Sequence, residues 1–224
     1  MPSLIMEGPP MPRLTGRLLA AAAVPALALS LAAPAQAATL TWTITNPDAT
    51  KDLLAWSGPN VLKNKAGKTV FTCDKTAILA KPGASRTLAP GAAYQAAVHG
   101  GSFSAGCKAP DGVAWGSGTL SGNYHLWLRA TAYDAAADAA DFTWTGQTGQ
   151  VLVYGKPGCT FFLGDVKFRY SNVASTFTST TGKVTFASNS PATNCAGLLT
   201  HGETVTFTGT YTANLAYKFR AATS

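Results

Sequence analysis

Four cysteines constrain this chain more than any other feature: Cys73, Cys107, Cys159 and Cys195. No two of them form a C-x-x-C pair, so neither a zinc knuckle nor a thioredoxin-type redox site is supported. An even number of cysteines in an exported chain reads as a disulfide framework. Four cysteines allow three pairings. The spacing favours the sequential one, with 34 residues from Cys73 to Cys107 and 36 from Cys159 to Cys195. Each bond would then close a loop of about 35 residues and stabilise the fold by roughly 3.8 kcal/mol in the chain-entropy picture. The matched spacing also hints at an internal duplication.

A disulfide framework needs an oxidising compartment, and the N-terminus reads as the route to one. Arg13 and Arg17 precede an apolar run from Leu18 to about Ala32, followed by Ala35-Gln36-Ala37. Small residues at those two subsites suit signal peptidase, so cleavage after Ala37 is expected, with a product that starts at Ala38. The apolar run is about 15 residues, short of the ~20 that span a bilayer. There is no Arg-Arg pair for the twin-arginine route and no cysteine after the run for a lipid anchor. No later segment reads as a membrane anchor. The expected organisation is a leader over 1–37 and a single secreted domain over 38–224.

Charge narrows the partners. Only 12% of residues are charged, and the formal net charge is +7. Lys63, Lys65 and Lys68 form the one local basic cluster, in "LKNKAGKT", which reads as a solvated turn. Nucleic-acid binding calls for a basic stripe with interleaved aromatics, and this cluster is not one. A weak general attraction to acidic wall polymers is compatible with the balance.

The hydropathy pattern has a period of two. "TLTWTIT" puts Leu40, Trp42 and Ile44 on one face and threonines on the other. "KTVFTC" reads as a strand ending at Cys73, and "KPGASRTLAPGA" as a loop or edge. "AAYQAAVHGGSFSAGC" reads as one or two short strands interrupted at Gly100-Gly101. "YHLWLRATAYD" predicts a central strand with His125, Trp127 and Arg129 opposite Tyr124, Leu126 and Leu128. Further strands are expected at "FTWTG", "QVLVYG", "CTFFL", "VKFRYSN", "TFTST", "KVTFAS", "ETVTFTGTYT" and "LAYKF", with a tight hairpin at Thr181-Gly182. Only "AYDAAADAAD" offers a helix, of two turns at most. Many short strands without helices between them imply an all-β antiparallel sandwich or barrel with two disulfides.

Residues for catalysis are few. The chain has three histidines, His99, His125 and His201, and none lies in an H-E-x-x-H pattern. No serine lies in G-x-S-x-G. Asp134, Asp138 and Asp141 cluster but lack the Asp/Asn-Gly pattern of a calcium loop, and read as an acidic surface loop. No metal or cofactor site is expected. "THGE" at 200–203 reads as the turn that enters a strand from about Thr204 to Thr212, with Gly202 supplying a positive φ. The rival reading makes His201 and Glu203 the edge of an active site. Among the aromatics, Trp56 in "LLAWSGPN" and Trp115 in "DGVAWGSG" stand in loop-like context. They are the candidates for stacking on sugar rings.

Taken together, "TVFTC", "GSFSAGC", "WLRATAYD", "GKPGCTFFLGDVKFRYSN" and "NCAGLLTHGETVTFTGTYT" resemble a family of small secreted actinobacterial proteins of unknown function with four cysteines. The resemblance spans about 69–212 and rests on Cys73, Cys107, Cys159, Cys195, Trp127, Tyr133, Asp134, Gly197, Phe207, Gly209 and Tyr211. It implies export and an all-β fold, and no activity. Where this chain has "THGE", the family has a small polar residue, then Gly-Asp. The sequence thus points to a non-catalytic envelope or extracellular binding module, with a cell-wall polymer or another extracellular protein as partner. A cell-wall or polysaccharide hydrolase and a small secreted inhibitor or toxin-like effector are the alternatives.

Overall fold

The computed structural model describes residues 39–102, 106–118, 126–145, 150–155, 159–186 and 195–223. The expected leader over 1–37 therefore lies outside the described residues, as do the side chains of His99 and His125. Sixteen strands follow in chain order among the described residues. They are β1 (Leu40–Thr45), β2 (Leu53–Ser57), β3 (Asn60–Lys63), β4 (Thr69–Cys73), β5 (Ala77–Lys81), β6 (Arg86–Thr87), β7 (Gln95–Ser102) and β8 (Gly116–Gly118). The second half holds β9 (Leu126–Asp134), β10 (Ala139–Thr145), β11 (Gln150–Tyr154), β12 (Thr160–Gly164), β13 (Lys167–Ser171), β14 (Thr176–Thr185), β15 (Thr204–Ala213) and β16 (Lys218–Thr223).

The fold is an antiparallel barrel, not a sandwich. Strands run in the order β15-β2-β5-β7-β9-β10-β13-β14, and β14 pairs with β15 to close the ring. Closure removes the sheet edges. The interior is filled asymmetrically. Phe142, Phe168, Tyr170, Phe177 and Tyr211 come from β10, β13, β14 and β15, while β2, β5, β7 and β9 supply the smaller Leu53, Ala55, Ile78, Ala80, Ala96, Leu128 and Ala130. Large residues opposite small ones let a narrow barrel fill without voids. β1, β6 and β16 form a separate three-stranded sheet that inserts Phe219 beside Tyr94, Phe142 and Tyr170, with ring centroids 5.1–5.4 Å apart.

The remaining strands build a second, smaller ring on the same hairpin. β14 leaves β13 for β12 after Ser179, and β15 pairs with β2 at one end and β3 at the other. β12 continues to β11 and β8, while β3 continues to β4. Lys108 closes the gap: it bridges Thr72 of β4 and Ala114, which leads into β8. Both disulfides lie in this ring, Cys73–Cys107 beside the Lys108 bridge and Cys159–Cys195 beyond β12. The sequential pairing expected from the spacing is the one found.

A buried polar cluster fills the point where the rings divide. Ser57, Asn60, Thr76, Ser179 and Tyr211 are all buried there. Asn60 Nδ2 donates to Ser57 Oγ, to Gly58 O at 2.9 Å and to Thr76 Oγ1 at 2.8 Å. The backbone N–H of Thr76 donates to Ser57 Oγ at 3.1 Å. Strands that part leave ladder groups without partners, and these side chains satisfy them. Burial pushes the Tyr211 phenol up to about 12 against opposing hydrogen bonds with Thr76 and Ser179.

Three expectations need correction. Thr181-Gly182 is not a hairpin, because β14 runs through it and Gly182 pairs with Val205. The glycine answers packing instead: a Cβ there would sit 2.8 Å from Leu163 Cδ1. Gly100-Gly101 does not split β7. The register passes from Leu79–Gly100 to Ala80–Val98, so His99 is the extra residue of a bulge. "AYDAAADAAD" forms a turn, not a helix. Asp134 Oδ1 accepts from Ala136 N and Ala137 N at 3.1 Å each, and Asp138 takes φ 43°, which stops helical continuation.

Candidate binding face

The outer face of β14–β15 is a threonine track. On β15, Thr204, Thr206, Thr208, Thr210 and Thr212 all point to solvent, while Val205, Phe207 and Tyr211 point inward. Across the pair, Thr176 faces Thr212, Thr178 faces Thr210, Thr181 faces Thr206 and Lys183 faces Thr204. A shift between Ser179 and Thr181 keeps both halves of β14 in phase with both ring interiors. Each threonine is β-branched and stiff at χ1, so the hydroxyl and methyl array is held at little further entropy cost. From Thr204 to Thr212 the track is about 27 Å long.

Side chains of a different kind mark its two ends. Trp56 of β2 faces Thr212 and is 41% exposed, whereas Trp42, Trp115 and Trp144 are buried. Lys75 Nζ lies over the Trp56 ring at 4.2 Å from its centroid. Toward the far end Lys63 faces Thr206 from β3, and Lys183 faces Thr204 from β14 on the other side of β15. No Asp or Glu occurs in β2, β3, β4, β14 or β15.

Trp115, expected to be exposed on its loop-like context, is 6% exposed. Its indole fills the second ring between Phe71 at 5.3 Å and Phe161 at 6.0 Å, resting on Gly155, where any side chain would collide with it. Trp115 is thus a core residue and offers no ring to a ligand. Loop-like flanks misled because the segment around it is held by bridges from strands distant in sequence.

"THGE" is the turn before β15. Glu203 N donates to Thr200 O at 3.1 Å, Gly202 takes φ 77°, and β15 begins at Thr204. His201 is exposed, and its Nδ1 accepts the Phe186 N–H at 3.2 Å, so one ring nitrogen serves the backbone. Glu203 is buried, and its Oε1 has no hydrogen-bond partner among the described residues.

The aspartate cluster is engaged by arginines. Arg169 reaches Asp134 at 2.5 Å and Asp141 at 3.2 Å. Asp138 receives Tyr133 Oη at 2.7 Å, Asn172 Nδ2 at 2.8 Å, and Arg220 Nε and Nη2 at 2.9 and 2.6 Å. The Arg220 guanidinium holds the Asp138 carboxyl well below the usual range, helped by Tyr133 and Asn172. Asn172 also accepts Phe219 N at 2.8 Å and donates to Phe219 O at 2.9 Å. This network latches β16 to the turns of the barrel. An open depression of about 460 Å³ beside it is lined by Thr131, Asp141, Thr143, Lys167, Arg169 and Thr180.

Sequence reasoning did not single out the track, although "ETVTFTGTYT" shows its alternation. Its extent depends on cross-strand register, which no single segment carries. No family model matches this chain, and comparisons with curated proteins and with solved structures likewise find no match.

Proposed function

We propose that this chain is exported after cleavage behind Ala37 and acts as a non-catalytic extracellular binding module, with the outer face of β14–β15 as its contact surface. One observation carries the reading: Trp56 stands 41% exposed in register with the threonine track, on a rigid strand of a closed barrel. An exposed indole presents a flat apolar face and a polar edge, the combination that stacks on sugar rings. Threonine hydroxyls add donors and acceptors beside it. The two disulfides are consistent with an extracellular protein.

Co-sedimentation with insoluble wall and polysaccharide preparations tests this. The wild-type protein should pellet with at least one, Trp56→Ala should remain in the supernatant, and no soluble fragments should appear. Fragment release by the wild-type protein would favour the hydrolase reading instead. Equal pelleting of Trp56→Ala would remove the assigned face.

A further inference from the structure

We propose that the ligand of this face is an acidic polysaccharide, an inference that rests on the binding reading above. The track is polarised in composition. No Asp or Glu occurs in β14, β15 or the strands beside them, β2, β3, β12 and β13, and the exposed Asp74 next to Lys75 is a carboxylate at the Trp56 end. Ordinary surfaces mix both signs of charge. Here the exposed charges facing β15 are lysines: Lys63 beside Thr206 and Lys183 beside Thr204. Lys75 adds an ammonium over the Trp56 ring at the opposite end. Lys108, bridged to Thr72, extends the positive charge sideways across the second ring.

Geometry selects an extended occupant. Lys63 and Lys183 flank β15 from opposite sides, two strand spacings apart and two residues out of register, roughly 12 Å, and their flexible stems can converge on one anionic group or span two. About 20 Å of hydroxyl and methyl surface separates Lys63 from the Trp56 end, and about 27 Å separates Lys183 from it. A compact anion would use one end only. A chain of pyranose rings bearing carboxylates would use both, displacing Lys75 from the Trp56 ring to seat an apolar sugar face there, with hydroxyls along the threonines and acid groups at the lysines. Ammonium–carboxylate contacts on an exposed face are screened by salt, which gives the assignment a signature.

Affinity electrophoresis through gels containing polygalacturonate or dextran tests the inference. Polygalacturonate should retard the wild-type protein, dextran should not, and raising the salt from 50 to 300 mM should abolish most of the retardation. Lys63→Glu/Lys183→Glu should weaken binding at least tenfold. Lys81→Glu/Arg129→Glu, an equal change of charge on exposed positions of β5 and β9, should leave it within twofold. Circular dichroism would verify that both variants are folded. Equal loss in the two double variants would show diffuse attraction and overturn the inference. Retardation by dextran that salt does not affect would also overturn it, yet leave the binding reading standing provided Trp56→Ala abolishes that retardation. No retardation by polygalacturonate rejects the acidic class outright, and the co-sedimentation result for Trp56→Ala then decides the binding reading separately.

Discussion

The barrel built on β2, β5, β7, β9, β10, β13, β14 and β15 contains no cysteine, whereas the second ring on the same hairpin contains all four. The barrel closes through paired ladders at every seam, and its core rings pack edge to face, as Phe142 with Phe177 at 5.8 Å and Phe168 with Tyr211 at 6.0 Å. The second ring closes through the Lys108 bridges and the three residues of β8. A ring with so thin a seam has little hydrogen bonding to hold it shut. Cys73–Cys107 lies next to Thr72–Lys108, where the ladder is weakest. The comparison teaches that one covalent bond, Cys73–Cys107, stands where noncovalent closure is poorest.

The largest expected effects probe the two cores. Trp115→Ala should cost about 3–5 kcal/mol, because it empties the second ring between Phe71 and Phe161. Urea denaturation would measure it, and a cost under 1 kcal/mol would mean that the ring is not packed around that indole. Losing Cys73–Cys107 through Cys73→Ala should lower the free energy of opening the second ring by about 2–5 kcal/mol. Peptide mapping without reductant would check the pairing first; a link from Cys73 to Cys159 or Cys195 would refute it.

Next comes the latch on the barrel side. Asn172→Ala should cost about 2–3 kcal/mol, since it strips the buried Phe219 N–H and C=O of partners. Denaturation followed by near-ultraviolet dichroism would report it. The same latch sets an acid limit. Asp138 has a folded pKa below its ordinary value, so its contribution is complete above the normal carboxylate range and fades as the pH falls below about 4. Thermal melts from pH 2 to 6 should show a steeper acid decline for the wild-type protein than for Asp138→Asn, and parallel curves would contradict the latch. The smallest effect is expected at Trp56. Trp56→Ala should leave stability within about 0.5 kcal/mol while abolishing retention on polysaccharide.

Strands were legible wherever one face is buried and the other wet. Trp42 and Ile44 of β1 are buried while Thr43 and Thr45 are exposed, as the alternation predicts. Glycines were not legible in the same way. Gly182, read as a turn, makes room for Leu163, and Gly209 makes room for Asn60. Close approach between strands far apart in sequence leaves no local mark that separates such a glycine from a turn glycine. Trp115 failed for a related reason, because its cover comes from β4 and β12. Trp56 stood in similar company, "WSGP", but lies on the outward phase of β2. The candidate face was thus half legible: its residues were visible, and their alignment was not.

Hydrogen exchange on the wild-type protein and a Cys73→Ala/Cys107→Ala variant tests the central contrast most directly. Exchange should rise by orders of magnitude in β3, β4 and residues 107–118. It should stay near wild-type in β5, β7, β9 and β10. A uniform rise through both groups of strands would contradict the account, because it would make the disulfide a support of the whole fold and not of the thinly closed ring.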